Sequence, residues 1–444
     1  MAQNYVNINP VKILKLLIPI FLLNSCANII VKYAGNSDLV KEEIPYKDPE
    51  LKKVTNYIPD PGHPQASQIR YVRINFHIMQ RSDGTGNFDE TAGRKFCRDM
   101  VDQSNFRWSN NLKMNLPIGN LTEVLPIGIR VVLEKDAETG QDAIYFHKND
   151  SLCFWNRSLK KGYASLSDQT VLKKYGIGND SVINIFLMEH VPDSVDSPTY
   201  GGGTLSGISF GGSIKLFSMH LQSTMVKYRD DGTPFTHDAY FLSKLMNHEL
   251  GHSFGLNHTW NWDDGCDDTP KNPGCWSETG KAPCDGVISN NMMDYNWSQQ
   301  AVSPSQIGKI EYHFAKESDG ARKFAIPYWC EYHSFDRVVI TKNQNIVWNG
   351  LKDLWGDIEI RNGATLTIKS IVSLPEQAKI IVKPGGKLII DGGKITNRCG
   401  DKWDGIEIWR NRKTEEIGVV VIANKGVIEQ VVHFEIMEVE EIKQ

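Results

Sequence analysis

The stretch His248-Glu249-Leu250-Gly251-His252-Ser253-Phe254-Gly255-Leu256-Asn257-His258 gathers the residue types that bind a divalent metal and use it. His248 and His252 stand four apart, so on a helix both imidazoles project from one face. Two imidazoles so placed reach one Zn2+ at about 2.0–2.1 Å. Glu249 lies beside that face, near enough to take a proton from a water and too displaced to be a third ligand. Gly255 lets the chain leave the helix sharply, and that turn returns His258 as the third ligand. Three protein ligands leave a fourth position for water, which is the arrangement of a catalytic zinc site rather than a structural one. Average composition would produce the five fixed positions in roughly a few chains per hundred thousand, so surface histidines on an ordinary helix are a poor competing explanation.

These residues need a helix and a sheet to hold them. The spacing predicts a helix over residues 236–254, with Thr236 able to cap it, Asp238 in its first turn and Gly255 at its end. Ile69 to Ile78 alternates as a strand, Ser82 to Asn87 is turn chemistry, and residues 89–108 place Phe96, Met100, Val101, Ser104 and Trp108 on one helical face. Ile127–Leu133 and Ser181–Leu187 read as further strands. The glycine-rich run Thr199–Ser213 cannot pack a core; it reads as an extended edge near a substrate or as a plain loop. His77, His147, His190, His220 and His237 are isolated and read as structural, and Cys97, on the amphipathic helix, as a buried thiol or a disulfide partner.

Asn291-Met292-Met293-Asp294-Tyr295 follows a loop rich in Cys and Asp. Together with the histidine motif it resembles the metzincin clan of zinc peptidases, and within that clan the bacterial pappalysin-like (cytophagalysin-type) family. Asn257-His258-Thr259-Trp260, Asp268-Thr269-Pro270 and Tyr71-Val72-Arg73-Ile74-Asn75-Phe76-His77 match as well, so the resemblance spans residues 69–325. It implies an α+β metzincin catalytic domain, a twisted mixed sheet with an active-site helix, acting on protein or peptide substrates. It implies Met293 as the turn methionine beneath the zinc and Tyr295 as the hydroxyl that approaches the metal or the developing oxyanion. Relatives bind Ca2+ in the preceding loop, which makes Asp264, Asp267 and Asp268 candidate calcium ligands, against the plainer reading of a solvated acidic loop. The family's cysteine after the turn tyrosine is missing from Asn296–Gln300, so its disulfide pattern does not carry over.

The chain has 444 residues, 40% hydrophobic and 23% charged with a net charge of −4, enough for two or three globular domains and unlike a broad nucleic-acid-binding surface. Lys12 and Lys15 precede an apolar run, Leu16 to Leu23, too short to span a bilayer. Leu23-Asn24-Ser25-Cys26 then resembles a bacterial lipobox, with cleavage before a lipidated Cys26; an ordinary signal peptide is the alternative. The expected organisation is a signal peptide over 1–25, a tether or short pro-segment over 26–68, the zinc peptidase domain over 69–330 and an all-β repeat domain over 335–435. The expected location is a membrane-anchored, exported lipoprotein at the outer membrane or cell surface. Export allows disulfides, and the seven cysteines after Cys26 leave an odd thiol. The three after the zinc motif read as staples of an irregular segment.

In the repeat region Gly363 aligns with Gly385 and Leu366 with Leu388, a 22-residue period, and Ile406-Glu407-Ile408 opens a third copy. Short β runs at a fixed period suggest a β-helix or β-solenoid; a small sandwich is the alternative. Trp348, Trp355, Trp403 and Trp409 read as packing residues before sugar platforms. A competing view makes the chain a surface binding or adhesion protein, its repeat holding a cell-surface ligand and its zinc domain inactive; retention of Glu249 with all three histidines argues against it. A glycan-degrading enzyme would need a carboxylate cluster from Asp353, Asp357, Asp391, Asp401 and Asp404, on too few coils to form a groove.

Overall fold

The computed structural model describes residues 29–34, 53–60, 62, 68–155, 165–191, 206–260, 264–269, 271, 274–275, 284, 286–296, 298–316 and 320–433. Cys26, the expected lipid site, lies outside the described residues, as do Asp263 and most of 26–68. No described helix is long and apolar enough to cross a membrane.

A seven-stranded sheet forms the frame of the metal-bearing half. Its path runs Ile129–Leu133, Arg70–Gln80, Ile183–His190, Ser213–Phe217 and Ser206–Ser209. The first four are parallel and the last is antiparallel to its neighbour, so the sheet is mixed. The strand Ile183–His190 is buried throughout. Its two-residue side-chain period divides it between two cores. Ile183, Ile185 and Leu187 join the helix-side core, and Phe186 and Met188 join the opposite cluster with Trp155 and Phe217.

Two long helices cover the first face. Glu90–Ser109 is capped by Asp89, which accepts from the Ala92 N–H, and buries the predicted Phe96, Met100, Val101, Ser104 and Trp108. Gly93 sits where a Cβ would come within 2.6 Å of Ile78 Cδ1, so glycine lets this helix lie close on the sheet. The second helix, Ala239–Ser253, carries the metal motif. Its cap is Asp238, which accepts from the Phe241 N–H, rather than Thr236. Both side chains can cap, but Asp238 occupies the extended conformation directly before the first turn.

Residues 338–428 form three sheets of parallel strands, compatible with the expected solenoid. Ile358↔Ile380 and Leu366↔Leu388 pair in the register of the 22-residue period, and Ile380↔Ile406 adds the third copy at a spacing of 26 residues. An earlier copy, Val338–Asp353, also stacks in register. Trp348 and Trp403 lie in this core, Trp355 belongs to the core of the seven-stranded sheet, and Trp409 is half-buried under Lys383.

The described parts of the expected tether are bound to the rest. Ile29–Ala34 pairs antiparallel with Gly405–Asn411, and the 3-10 turn Val54–Tyr57 buries Tyr57 beside Tyr312 and Leu351. Cys330 and Cys399 form a disulfide between the two halves, and Cys275–Cys284 a local one. Of the three cysteines expected as staples, Cys266 is a free buried thiol, as are Cys97 and Cys153.

Candidate metal centre

The helix Ala239–Ser253 places His248 and His252 on one face, and Gly255 (φ 92) turns the chain after it. A Cβ at Gly255 would come within 2.2 Å of His313, so both backbone angle and space demand glycine. Past this turn His258 Nε2 stands 3.1 Å from the Nε2 atoms of both His248 and His252. Among the described residues these three form the cluster able to hold a metal, with one ligand atom from each within 4.8 Å of the others.

The ring protons can be assigned. His248 Nδ1 lies 2.8 Å from the Met292 carbonyl, and His252 Nδ1 lies 2.9 Å from the Leu256 carbonyl. A carbonyl only accepts, so each Nδ1 carries the hydrogen and each Nε2 presents a lone pair. Both lone pairs face His258 Nε2 at 3.1 Å, so the three ring nitrogens converge on one point. Zn–N bonds of about 2.0–2.1 Å in a tetrahedron separate nitrogens by about 3.3 Å. The donor set therefore fits zinc, and carbonyl acceptance behind each ring is the usual support for metal-bound histidine. Burial lowers His248 to about 3 and His258 to about 4, with neighbouring imidazoles adding to it, so the ligands are neutral far below pH 7.

Glu249 is 4% exposed. Its burial has a specific source, since a Cβ on Gly207 would lie 2.6 Å from Glu249 Oε1. The edge strand Ser206–Ser209 thus passes directly over the carboxylate, and Ser209 Oγ meets Ser253 Oγ at 2.9 Å. Burial pushes the Glu249 carboxyl up to about 8, and the Ser209 N–H pulls it back in part. A divalent cation on the adjacent imidazoles acts in the same downward direction, favouring the ionised form.

Met293 is fully buried below the helix, where a Cβ on Gly251 would be 2.6 Å from its Sδ. Tyr295 is half-exposed, its ring centroid 5.7 Å from His248 and 5.0 Å from His258. Its hydroxyl pKa is raised by burial and then by the Glu249 charge. Trp260 stacks on His258 at 5.4 Å and closes that side.

Sequence reasoning gave no role of their own to Asn291, a fixed position of the turn motif, or to Asp294. Asn291 Oδ1 accepts from the Met293 N–H at 2.8 Å and its amide reaches Gln306, which fixes the turn. Asp294, 1% exposed, accepts from the hydroxyls of Thr259 and Ser289. It thereby ties the residue after His258 to the methionine turn. The signal was the position itself, a carboxylate between the turn methionine and the tyrosine.

The candidate calcium residues are arranged differently from one another. Asp264 accepts from the Cys266 N–H and from Thr269 Oγ1, Asp268 accepts from Ser303 Oγ and the Ser305 N–H at the start of the helix Pro304–Ala315, and Asp267 is exposed. The isolated histidines belong to no three-ligand cluster among the described residues. His77, for instance, is held between His147 at 2.9 Å and Asn184 at 2.8 Å.

No protein-family model and no curated protein matches the chain. Solved structures similar to it include mirolysin in complex with a compound, at 14% identity and TM-score 0.38, covering 59% of this chain and 97% of that one. Mature mirolysin of Tannerella forsythia with a cleaved peptide is similar at 16% identity and TM-score 0.37, with the same coverage. A promirolysin variant of that organism gives 13% and 0.38 over 59% of this chain and 86% of its own. Likeness of that degree carries no argument, and the site stands on its own geometry.

Proposed function

We propose that this chain is an exported zinc endopeptidase that hydrolyses peptide bonds in proteins. The observation that carries the reading is the convergence of three imidazole Nε2 atoms, with a buried carboxylate, Glu249, next to His248 on the same helix. His248, His252 and His258 would hold the zinc, which when bound would supply a Lewis acid for the scissile carbonyl and lower the pKa of a water to about 7. Glu249 takes the proton from that attacking water and delivers it to the leaving amine. Tyr295 donates its hydroxyl hydrogen to the oxyanion of the tetrahedral carbon. Ser206–Ser209 ends the sheet path, so its outer edge can pair with an extended substrate as an added strand.

A glycan-cleaving alternative finds no support in the repeat. Asp353 is engaged by Arg322 and Arg398, and Asp357 by Arg337 and Tyr332, which leaves neither as a working acid or base. Export is supported by the apolar run before Cys26, and the mass of the mature N-terminal peptide tests for lipid there.

The test uses purified residues 27–444 on a denatured protein mixture, with zinc measured in each sample. Wild type should cleave, and 1,10-phenanthroline should stop it. Glu249→Ala should keep one zinc and lose at least about 10²-fold in rate. A wild type without zinc, or a Glu249→Ala variant as active as wild type, ends this reading.

A further inference from the structure

Ahead of the metal helix lies a second cleft, of about 520 Å³. It is formed by the hairpin that pairs Lys227–Tyr228 with Pro234–Phe235, and by the first turn of Ala239–Ser253. Its walls are aromatic, and Lys227 and Arg229 bring two cations to it. His237 stacks on Phe241 with centroids 3.8 Å apart, and Arg229 lies over Phe235 at 5.0 Å. Lys227 Nζ stands 2.9 Å from His237 Nε2 and 2.7 Å from Gln222 Oε1.

Among the described residues neither Lys227 nor Arg229 lies within ion-pair distance of a carboxylate. The one acid on the wall, Asp238, is occupied as the helix cap, and Asp231 accepts from Thr233 in the hairpin tip. Behind the wall Lys244 Nζ is buried 3.9 Å from the Phe241 ring centroid. His237 is lowered to about 4 by burial, then by Lys227 and Lys244, with Asp238 acting the other way.

Position links this cleft to the metal. Phe241 and His248 are seven residues apart, which on a helix is the same face with about 10 Å of rise. An extended peptide covers that distance in about three residues.

We propose that this cleft is an exosite for an acidic segment of the protein substrate: Lys227 and Arg229 take its carboxylate, and Phe235, His237 and Phe241 take the apolar part of its chain. The proposal rests on the peptidase reading, and its test reads binding without cleavage. Fluorescein-labelled peptides of one sequence carry either two Asp or two Asn, three and four positions from the cut bond on either side. Their anisotropy is followed with zinc-loaded full chain bearing Glu249→Ala. The Asp peptide should bind about tenfold more tightly at low salt, as expected for one charge-assisted contact.

The ratio should fall towards one in Arg229→Gln alone, further in Lys227→Gln with Arg229→Gln, and also at high salt. Arg229 is exposed, so its single substitution guards against a folding defect. Equal binding of the two peptides, or a preference that survives both substitutions, overturns the exosite. If wild type cuts neither peptide yet the preference holds, the exosite stands and the peptidase reading falls. If wild type cuts both equally with a binding ratio of one, the reverse is true.

Discussion

Replacing Gly207 by alanine puts a methyl carbon 2.6 Å from Glu249 Oε1, 2.8 Å from its Cγ and 2.9 Å from its Cδ. An ordinary C···O contact is no closer than about 3.3 Å, so the carboxylate must retreat by about 0.7 Å. It cannot rise, because the strand Ser206–Ser209 lies over it, so it swings away from the position beside the imidazoles. A misplacement of 1 Å costs about 10²-fold in rate, and the expected loss in kcat/KM is therefore about 10- to 100-fold, or about 1.4–2.7 kcal/mol. The loss should fall on kcat. The histidines are untouched, so zinc content should equal that of wild type. Gly207 is not among the positive-φ glycines, so alanine suits its backbone and the melting temperature should hold within a few degrees. Ser206→Ala, on the other face of the same strand, is the control. The assay is cleavage of a quenched fluorescent peptide, with zinc measured on the same samples. A Gly207→Ala enzyme with wild-type kcat and full zinc would refute the claim that the strand holds Glu249 in its working position.

Asp353→Ala should destabilise the folded chain by about 3–5 kcal/mol, because it strips the counter-charge from a buried cluster. Burial pushes the Asp353 carboxyl up, but Arg322, Arg398 and Arg70 more than reverse this, and its pKa is lowered. A denaturant midpoint that barely moves would show that the cluster contributes little. Stability should also decline on acidification. Burial lowers His77 to about 3 and His147 to about 4, so both stay neutral in the folded chain while the unfolded chain protonates near 6.5. Their contribution is whole above pH 6.5 and is lost as pH falls; at pH 5 the loss is about 2–4 kcal/mol, discounted for the partial exposure of His147. His77→Gln with His147→Gln should flatten that slope between pH 6.5 and pH 4, as read by chemical denaturation at each pH, and an unchanged slope would assign it to other groups.

The parts of the site legible in the sequence are those set by short-range geometry. His248 and His252 are a helix turn apart, and the Gly255 turn that returns His258 is encoded within three residues. The cover over Glu249 was not legible in detail, because Gly207 lies on another element and nothing local says which glycine of its run passes over the carboxylate. The capping residue was misplaced between two side chains that can both cap. The repeat was found where glycine marks its corners, Gly363 (φ 70) and Gly385 (φ 74), and missed one copy earlier where Asn343 (φ 69) takes the same corner. Asparagine tolerates the left-handed conformation, and the first spacing is 20 residues, from Val338 to Ile358, rather than 22. Both changes hid that copy from a search for a fixed period.

The joint between the two halves lies furthest from anything a local pattern encodes, and it bears on how the halves can act together. Asp353, in the repeat, is buried at 0% side-chain exposure against Arg322 from the half that holds the three histidines and Arg398 from a later coil, with Arg70 at 3.7 Å. Arg70 is the first residue of the inner strand Arg70–Gln80 of the main sheet, and it also meets Glu311 at 3.4 Å. Beside the cluster, Tyr71 packs on Tyr328 and Trp355, and the Cys330–Cys399 disulfide joins chain segments 69 residues apart. Separating the halves would expose apolar rings, leave the guanidinium groups of Arg70 and Arg322 without the Asp353 carboxylate, and still be held by a covalent bond. A flexible linker has none of these costs. The repeat is therefore a rigid extension of the sheet that carries the metal helix, and any ligand it holds is presented at a set distance from His248, His252 and His258. Residues Arg70 and Arg322 also belong energetically to both halves, so a cut near residue 335 would remove their counter-charge along with the repeat.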